Sequence, residues 1–594
     1  MSAKFVFSEK QIAMLNGSSK FHRLQTYGPN VLLSGCLVLL VASIVILAST
    51  PPVSRDALTH HLAMPKLYLK QGAIYEIPDA KWSYYPMNLD LLYMIPLYFG
   101  NDIIPKFIHF AFALLTGWLI FRYLKKRSEL PYAILGVVFF LSIPVIVKLS
   151  ITVYVDLGLI FFSFTALTYL FKWFETDFKL KSLVASAICC GIALGTKYNA
   201  LICFFLLTLF IVFVYSRLSP VTHAHQIKAL MYGAVFMLIA AVVFSPWAIR
   251  NFKWTNNPLY PLYNSWFNPT KTEFHDITEP RVVQNSNEDA NAGINPSNGR
   301  WTHFAIRKII FNETWWEIAL IPVRIFFQGR DDNPKYFDGK LNPLLFFLPF
   351  FVFIGIRSNS RQLQIEKKTM LAFAVLFILL AFVQRDMRIR YIGPAIPPLV
   401  VLSILGLQSI IGVINDRFNG FPKRIYLGSV LVLMLFFLGL NFHYILNQYR
   451  WVQPVRYLKG ELKRDTYIEK YRPEYAVINY ANKHLPSDAK ILGVFLGNRS
   501  YYSDREMRFD YDPFIKNTFK QKYLDEAILA NFKKSGITHL LIRLNAFNNW
   551  VRNNFDDREK QRLIHFFQNY TVLLFSKNGH GLYNLGSTAT LRAP

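Results

Sequence analysis

Long apolar runs, separated by short polar loops, divide residues 31–449 into segments that can each cross a bilayer. A spanning helix needs about 20 mostly apolar residues. The first run, which follows a polar segment at 1–30, lacks a small-residue cleavage site and is therefore predicted to be retained. The pattern predicts about eleven crossings, at 31–49, 103–121, 132–149, 157–173, 182–198, 200–216, 230–249, 342–356, 369–384, 391–412 and 425–446.

The charges of the loops predict the orientation of these crossings. Basic residues outnumber acidic ones about threefold in alternate loops, and such loops face the cytoplasm. These loops are 122–130, 172–182, 217–228, 357–368 and 416–424. We therefore predict a multi-pass protein of the cell inner (plasma) membrane, with a cytoplasmic N-terminus and with outer loops at 50–102 and 251–341. Asn88 and Asp90 interrupt the apolar stretch 87–99, so this stretch is predicted to lie in the outer interface.

After residue 450 the long apolar runs disappear and shorter strand-like and helical patterns alternate. Alternation of this kind is typical of a compact α/β unit. We predict an extracytoplasmic α/β domain over 450–594. Its expected strands are 491–496, 539–544 and 572–575, and its expected helices are 473–485 and 522–534.

The composition agrees with a membrane protein and argues against nucleic-acid binding. The 594-residue chain is 53% hydrophobic and 17% charged, whereas soluble domains carry about 25% charged residues. Its net charge of +28 comes without a zinc-finger or RNP motif, so anionic membrane lipids are the expected partner and nucleic acid is not. The four cysteines lie in apolar runs and are interpreted as packing residues, not as disulfide or metal ligands.

Asp56 is the first candidate for chemistry. It lies about one turn beyond the first crossing and begins a helical pattern over 57–70. Aspartate is also a common helix N-cap, and the two roles are compatible.

Asp156 is the second acidic candidate, because an acid in an apolar stretch near the membrane is costly and therefore a functional candidate. The alternatives are a helix cap or a partner for a cation such as Lys148. Both acids are predicted on the outer face. Two acids on the same face of a membrane bundle indicate a functional site more specifically than either acid alone.

Several cations are predicted at outward helix ends, where they could meet a phosphate. Arginine suits phosphate because its planar fork donates two hydrogen bonds. The alternative for each is a side chain that reaches a lipid headgroup. The cations are Lys81, Lys197, Arg250, Arg385, Arg388 and Arg390, the last directly before Tyr391.

His60, His61 and the aromatic run Tyr84-Tyr85-Pro86 complete the outer segment 50–102. Adjacent histidines point to different sides of a helix, unlike the i, i+4 spacing of a metal pair, so His60 and His61 are interpreted as bystanders. The aromatic run fits either an interfacial belt or a substrate lining.

The order of these motifs resembles the GT-C glycosyltransferases over about residues 30–450. The matching features are Asp-Ala-Leu-Thr-His-His-Leu at 56–62, Met-Pro-Lys-Leu-Tyr-Leu-Lys-Gln-Gly at 64–72 and Tyr-Tyr-Pro at 84–86. Arg-Ile-Arg-Tyr-Ile-Gly-Pro-Ala at 388–395 is similar to the family's Arg-Tyr-x-x-Pro element. Within the class, the chain looks most like the bacterial relatives of protein O-mannosyltransferases and of the lipid A aminoarabinose transferase.

The resemblance implies transfer of a sugar from a polyprenyl-phosphate donor to an acceptor hydroxyl of a lipid, glycan or protein on the outer face of the membrane. By position, Asp56 matches the first-loop acid of the family and Asp156 the second-loop acid. Tyr85-Pro86 stands where some members have Lys-Pro-Pro, and Lys81 could replace that lysine. His60 and His61 stand where many members have a second acid.

The chemistry of this transfer assigns a role to each candidate. A carboxylate must take the acceptor's proton, and cations must hold the charge that develops on the leaving phosphate. We expect Asp56 to be the base and Asp156 to support it or to contact the sugar or a cation. Whether a divalent metal takes part is left open. The expected substrate or phosphate contacts are Lys81, Tyr85, Lys197, Arg388, Arg390 and Tyr391.

Two other classes of function are compatible with the sequence. A transporter or flippase of a lipid-linked or anionic substrate is expected to carry charges in mid-helix and broken helices in paired halves, whereas the notable charges here cluster at one set of helix ends. A non-catalytic protein that binds through its outer α/β domain is the third interpretation.

Overall fold

The computed structural model describes residues 9–78, 80–218, 222–269, 303–354, 361–382, 387–509 and 525–586. Arg385, which the sequence grouped with Arg388 and Arg390, lies outside the described residues.

Among these described residues, seven helices are long and apolar enough to cross a membrane, or up to eight if one bent pair forms a single span. The seven are Gly28–Ala48 (the end of a helix that begins at Glu9), Ile104–Lys125, Asp156–Glu175, Ala200–Leu218, His223–Thr255, Ile389–Arg417 and Gly420–Val452. The bent pair is Leu130–Ser142 and Pro144–Ser150, which meet at 67°. The helix Arg361–Phe382 also packs among them.

The predicted count of eleven crossings is not confirmed, although the described part of each of the eleven apolar runs is mostly helical. The helix that follows residue 180 covers only Leu180–Leu194, because the chain turns at Gly195. The run at 342–356 begins with one α-helical turn, Leu344–Phe347, and continues as the 3-10 helix Leu348–Phe353. The apolar runs predicted the positions of the helices. Breaks inside two of these runs make their helices shorter than the length that is needed to cross a bilayer.

The two most buried of the long helices begin beside the candidate residues. In the most apolar stretch of Asp156–Glu175, 72% is buried inside the bundle, and in that of Ile389–Arg417 67% is buried. The corresponding share is 11% for Gly420–Val452. Asp156 is the first residue of one central helix. Arg390 lies in the 3-10 turn Ile389–Ala395 that opens the other, whose α-helical part is Ile396–Arg417.

The segment 50–102 folds as a series of short helices. The predicted helix over 57–70 is interrupted: Ala57–His61 forms a π-helical turn, and the α-helix Ala63–Gln71 follows it. Gly72 ends this helix in a left-handed conformation, which glycine adopts readily. A 3-10 turn at Lys81–Tyr84 and an 11-residue helix, Asn88–Tyr98, complete the segment. The last helix is too short to cross a bilayer.

Short helices also occupy the described parts of the segment 251–341. They are Asn264–Phe267, His303–Ile309, Trp315–Ala319, Ile321–Arg324 and the 3-10 turn Pro334–Tyr336. The Asn-rich stretch at 284–299 lies outside the described residues.

The C-terminal part folds around a five-stranded sheet with helices, which agrees with the α/β class that the sequence predicted. The strands are β1 (Lys490–Val494), β2 (Glu506–Arg508), β3 (His539–Arg543), β4 (Thr571–Lys577) and β5 (His580–Leu585). Their order is β2-β1-β3-β5-β4; β1 runs parallel to β2 and β3, and β5 is antiparallel to β3 and β4. The helices are Pro454–Leu458, Arg464–Tyr471, Tyr475–His484, Asp525–Lys534, Leu544–Asn554 and Asp557–Tyr570.

The three predicted strands are present, whereas the sequence missed β2 and β5. β2 has only three residues, and β5 contains Gly581 and Asn584, which are uncommon in strands.

A loop of the sheet domain packs on the segment 50–102. The backbone N–H of Tyr501 donates to the carbonyl of Leu58 at 3.1 Å. The Tyr502 hydroxyl donates to the carbonyl of Pro52 at 2.7 Å, and Arg472 Nε donates to that of Val53 at 2.6 Å. The domain therefore holds the backbone on both sides of Asp56.

Candidate active site

Asp56 forms an ion pair with Arg390, which lies 334 positions later in the sequence. Arg390 Nη2 donates to Asp56 Oδ2 at 2.6 Å, and the two side chains are 10% and 20% exposed. The Asp56 carboxylate makes no capping hydrogen bond to the helical turn that follows it. Of the two compatible roles that the sequence suggested, its side chain does not serve as the cap.

Asp156 is bound to Lys197, not to Lys148. Lys197 Nζ lies 2.6 Å from Asp156 Oδ1, and the Asp156 side chain is 1% exposed. Of the alternatives for Asp156, pairing with a cation is observed, but the cation is Lys197 and not Lys148. Lys148 instead contacts three carboxylates, Asp331 at 3.5 Å, Asp332 at 3.3 Å and Asp338 at 3.5 Å.

Tyr391 joins the two ion pairs into one site. Lys197 Nζ lies 5.0 Å from the centroid of the Tyr391 ring, and the Arg390 guanidinium lies 5.3 Å from the same centroid. The Arg390 guanidinium also lies 4.8 Å from the Tyr154 ring. All three distances are within the range of cation–π contacts.

Two polar atoms of these ion pairs are buried without a hydrogen-bond partner among the described residues. They are Arg390 Nε, a donor, and Asp156 Oδ2, an acceptor. Buried polar groups are nearly always hydrogen-bonded. A donor and an acceptor left over at one site can therefore bind a polar ligand that carries both kinds of group.

A buried histidine fixes the turn that carries Asp156. His109 Nε2 accepts from the backbone N–H of Leu157 at 2.9 Å, so Nδ1 carries the proton. Nδ1 donates to the carbonyls of Leu149 and Thr152, at 3.0 Å each. One imidazole thus ties the loop before Asp156 to the start of its helix.

Arg388 and Arg390 diverge, although the sequence expected both at a phosphate. Arg388 lies in extended backbone, and its Nη1 is 3.4 Å from Asp338 Oδ2. Arg388 therefore belongs with the Lys148 cluster, whereas Arg390 belongs with Asp56.

The remaining predicted contacts, Lys81 and Tyr85, lie in and directly after the 3-10 turn Lys81–Tyr84. Lys81 is exposed at the start of its 3-10 turn. The Tyr85 ring is half-buried, with its centroid 5.6 Å from that of Tyr198. Arg250 Nη2 donates to the carbonyls of Tyr84 at 2.7 Å and Tyr85 at 3.2 Å, so this cation holds the backbone of the aromatic run.

The charge of Asp56 is fixed by its surroundings. Burial by itself raises the pKa of the Asp56 carboxyl, but the Arg390 guanidinium and the nearby imidazoles outweigh burial, so the pKa lies well below its usual range. Asp56 is therefore an anion at any physiological pH.

Neither a family model nor a curated protein matches this sequence. Solved structures do match its fold. ArnT from Cupriavidus metallidurans in the apo state has a TM-score of 0.54 and 14% identity, and the match covers 96% of this chain and 100% of ArnT. ArnT bound to undecaprenyl phosphate has a TM-score of 0.51 and 13% identity over the same shares. The chain has the GT-C glycosyltransferase fold. This confirms the fold that the resemblance of the motifs implied.

The structure pairs two residues that the sequence did not single out as a site. His61 Nδ1 lies 2.8 Å from Asp90 Oδ1, and both side chains are buried. The sequence treated His61 as a bystander and Asp90 only as an interruption of an apolar stretch. The signal that drew attention to Asp156, an acid inside an apolar segment, was also present at Asp90.

The carboxylates of this site do not fit a divalent metal as they stand. Arg390 occupies Asp56, and Lys197 occupies Asp156. Among the described residues, no group of three or more His, Cys, Asp or Glu side chains is placed to hold a metal ion. We therefore derive no step through a metal.

Proposed function

We propose that this protein is a glycosyltransferase that moves a sugar from a polyprenyl-phosphate donor to an acceptor hydroxyl of a lipid, glycan or protein. The reaction would take place on the outer face of the inner membrane. The observation that carries the proposal is that the pairs Asp56–Arg390 and Asp156–Lys197 meet around Tyr391. These pairs lie on the fold of ArnT, one of whose structures holds undecaprenyl phosphate.

The donor's phosphate is assigned to the cationic side of the site. Breaking the bond between the sugar and the phosphate leaves negative charge on the lipid phosphate, and cations fixed in advance stabilise that charge most effectively. Arg390 is 10% exposed and Lys197 19%, so water screens their charges only weakly. Arg390 Nε, buried without a partner among the described residues, is the donor available to a phosphate oxygen.

The other predicted contacts are assigned to the edge of the donor site. Tyr391 contacts both Lys197 and Arg390 and would present its ring to the donor. Tyr85 and Lys81 would line the outer approach, and Arg388 would add positive charge from the neighbouring cluster. These four residues modulate binding in this proposal, whereas Arg390 and Lys197 hold the phosphate.

The acceptor is assigned to the acidic side of the site. Asp56, an anion, accepts the hydrogen bond of the attacking hydroxyl and directs the oxygen towards the anomeric carbon. Asp156 keeps Lys197 in place, and its free Oδ2 can accept a hydrogen bond from a sugar hydroxyl. Attack on the face opposite the phosphate would invert the anomeric centre.

Reconstitution with a labelled donor tests the proposal. Purified protein in liposomes would receive undecaprenyl phosphate carrying radiolabelled pentoses or hexoses, together with a cell-envelope extract as the source of acceptor. Release of undecaprenyl phosphate that depends on Asp56 is the expected result. Movement of the intact donor across the bilayer, without release, would instead identify a flippase.

A further inference from the structure

The buried pair His61 and Asp90 is built like the orienting half of a catalytic dyad. His61 ends the π-helical turn that follows Asp56, and Asp90 lies in the first turn of the helix Asn88–Tyr98. Their atoms Nδ1 and Oδ1 are 2.8 Å apart, and the side chains are 7% and 5% exposed. A carboxylate in this position fixes which imidazole nitrogen carries the proton.

His61 is within electrostatic range of the whole candidate site. Burial lowers its pKa, and the charged groups that act on it include all four members of the two ion pairs. His60 also faces it, with ring centroids 3.9 Å apart, and so does the Tyr154 ring at 5.7 Å. The titratable or charged groups around His61 are thus Asp56, His60, Asp90, His109, Tyr154, Asp156, Lys197 and Arg390.

The second nitrogen of His61 is available. Asp90 engages Nδ1, and no described residue forms a hydrogen bond with Nε2. When Asp90 is ionised, Nδ1–H donates to it and Nε2 presents its lone pair. When Asp90 is protonated, the carboxyl donates to Nδ1 and Nε2 carries the hydrogen, so it cannot accept another.

Asp56 is poorly suited to keep a proton. Its Oδ2 already accepts from Arg390 at 2.6 Å, and protonation of Asp56 would leave the buried Arg390 without its counter-ion. Loss of one partner from a buried ion pair is strongly destabilising. The acceptor's proton therefore needs a second destination.

We propose that His61 Nε2, oriented by Asp90, takes up the proton of the acceptor hydroxyl. This inference rests on the proposed glycosyl transfer. In the step, the acceptor oxygen forms a bond to the anomeric carbon while its O–H bond breaks and the proton passes to Nε2. The bond between the anomeric carbon and the phosphate oxygen breaks, and its electron pair leaves with the lipid phosphate. Asp56 remains an anion throughout, and Asp90 acts as a positioning residue.

The dependence of the rate on pH tests this assignment. Burial raises the pKa of Asp90 to about 7 and lowers that of His61 to about 3. The base-competent form has ionised Asp90 and neutral His61, so undecaprenyl phosphate release should rise with pH through about 7. Asp90→Asn removes the titrating group and should flatten this limb of the profile.

Variants of His61 give a second readout. His61→Gln should lower release about 100-fold or more, as expected for loss of a general base. His61→Ala should be restored in part by added imidazole, which a purely structural histidine would not allow. His60→Gln is the matched control: His60 stacks on Trp82 with centroids 5.1 Å apart, and its variant should keep the rise with pH.

The outcomes separate this inference from the function on which it rests. If the wild-type protein releases lipid phosphate but His61→Gln keeps both its rate and its rise with pH, the His61 assignment is wrong and the transferase proposal stands. If imidazole fails to restore His61→Ala although that variant is folded, the assignment is also wrong. If the wild-type protein releases nothing from any labelled donor, the transferase proposal fails and the assignment fails with it.

Discussion

Arg390 and Asp56 are separated by 334 positions in the sequence, yet Nη2 of the arginine donates to Oδ2 of the aspartate at 2.6 Å. One residue opens the central helical segment Ile389–Arg417, and the other follows the first crossing. Their contact therefore holds together two segments that are far apart in the sequence, at one point on the predicted outer surface.

Asp56→Asn should lower the release of lipid phosphate about 100-fold or more, as expected when a group that positions the attacking hydroxyl is lost. The amide keeps the size of the side chain but removes the anion that faces Arg390 and the acceptor. Radiolabelled undecaprenyl-phosphate sugars would measure the loss in liposomes.

Asp416→Asn is the matched control for Asp56→Asn. Asp416 is exposed in the last turn of the helix Ile396–Arg417, so the same change there should leave release unaltered. Normal transfer by folded Asp56→Asn would refute the catalytic role of Asp56.

Lys197→Met should cost about 3–5 kcal/mol in the free energy of unfolding, because it leaves the buried Asp156 carboxylate without its cation. The double variant Asp156→Asn with Lys197→Met should recover most of that stability, since no charge remains unpaired. Neither variant should transfer sugar.

Unfolding in mixed detergent micelles, followed by tryptophan fluorescence, would measure these free energies. Equal and additive losses from Asp156→Asn and Lys197→Met would contradict the pairing, because residues in direct contact are expected to show a coupling energy.

Arg390→Lys should raise the KM for the donor and lower kcat/KM about tenfold or more. Lysine keeps the charge but loses the planar fork, and with it at least one charge-assisted hydrogen bond. Arg388→Lys should have a smaller effect, because Arg388 Nη1 lies 3.4 Å from Asp338. Steady-state kinetics with a single labelled donor would compare the two variants, and equal losses would place both arginines at the phosphate.

Lys66→Met should weaken the attachment of the sheet domain to the segment 50–102. Lys66 Nζ donates to the carbonyls of Tyr501 and Ser503 and to Asp504 Oδ1, each at 2.9 Å. Loss of this donor leaves acceptors unsatisfied and should cost about 1–3 kcal/mol. Thermal unfolding and limited proteolysis would detect the change.

Lys560→Met is the control for Lys66→Met, because both lysine side chains are 33% exposed. Among the described residues Lys560 pairs only with Asp557, which is 97% exposed, so its removal should cost less than about 0.5 kcal/mol. Equal sensitivity of the two variants to protease would argue against the docking role of Lys66.

The sequence by itself determined the helical class of the protein, because the transfer of an apolar run out of water depends only on that run. It also singled out Asp56 and Asp156 as candidates, since acids next to apolar segments are costly wherever the fold places them. The three predicted strands of the C-terminal domain followed from short apolar runs, which are also a local signal.

Only the tertiary structure decided which charges meet. The sequence suggested Lys148 as a partner for Asp156 and grouped Arg388 with Arg390, but packing placed Lys197 at Asp156 and sent Arg388 to Asp338. It also paired His61 with Asp90, which are 29 positions apart. The local sequence shows which charges are costly to bury. The partner of each charge depends on the packing of segments that are distant in sequence and adjacent in space.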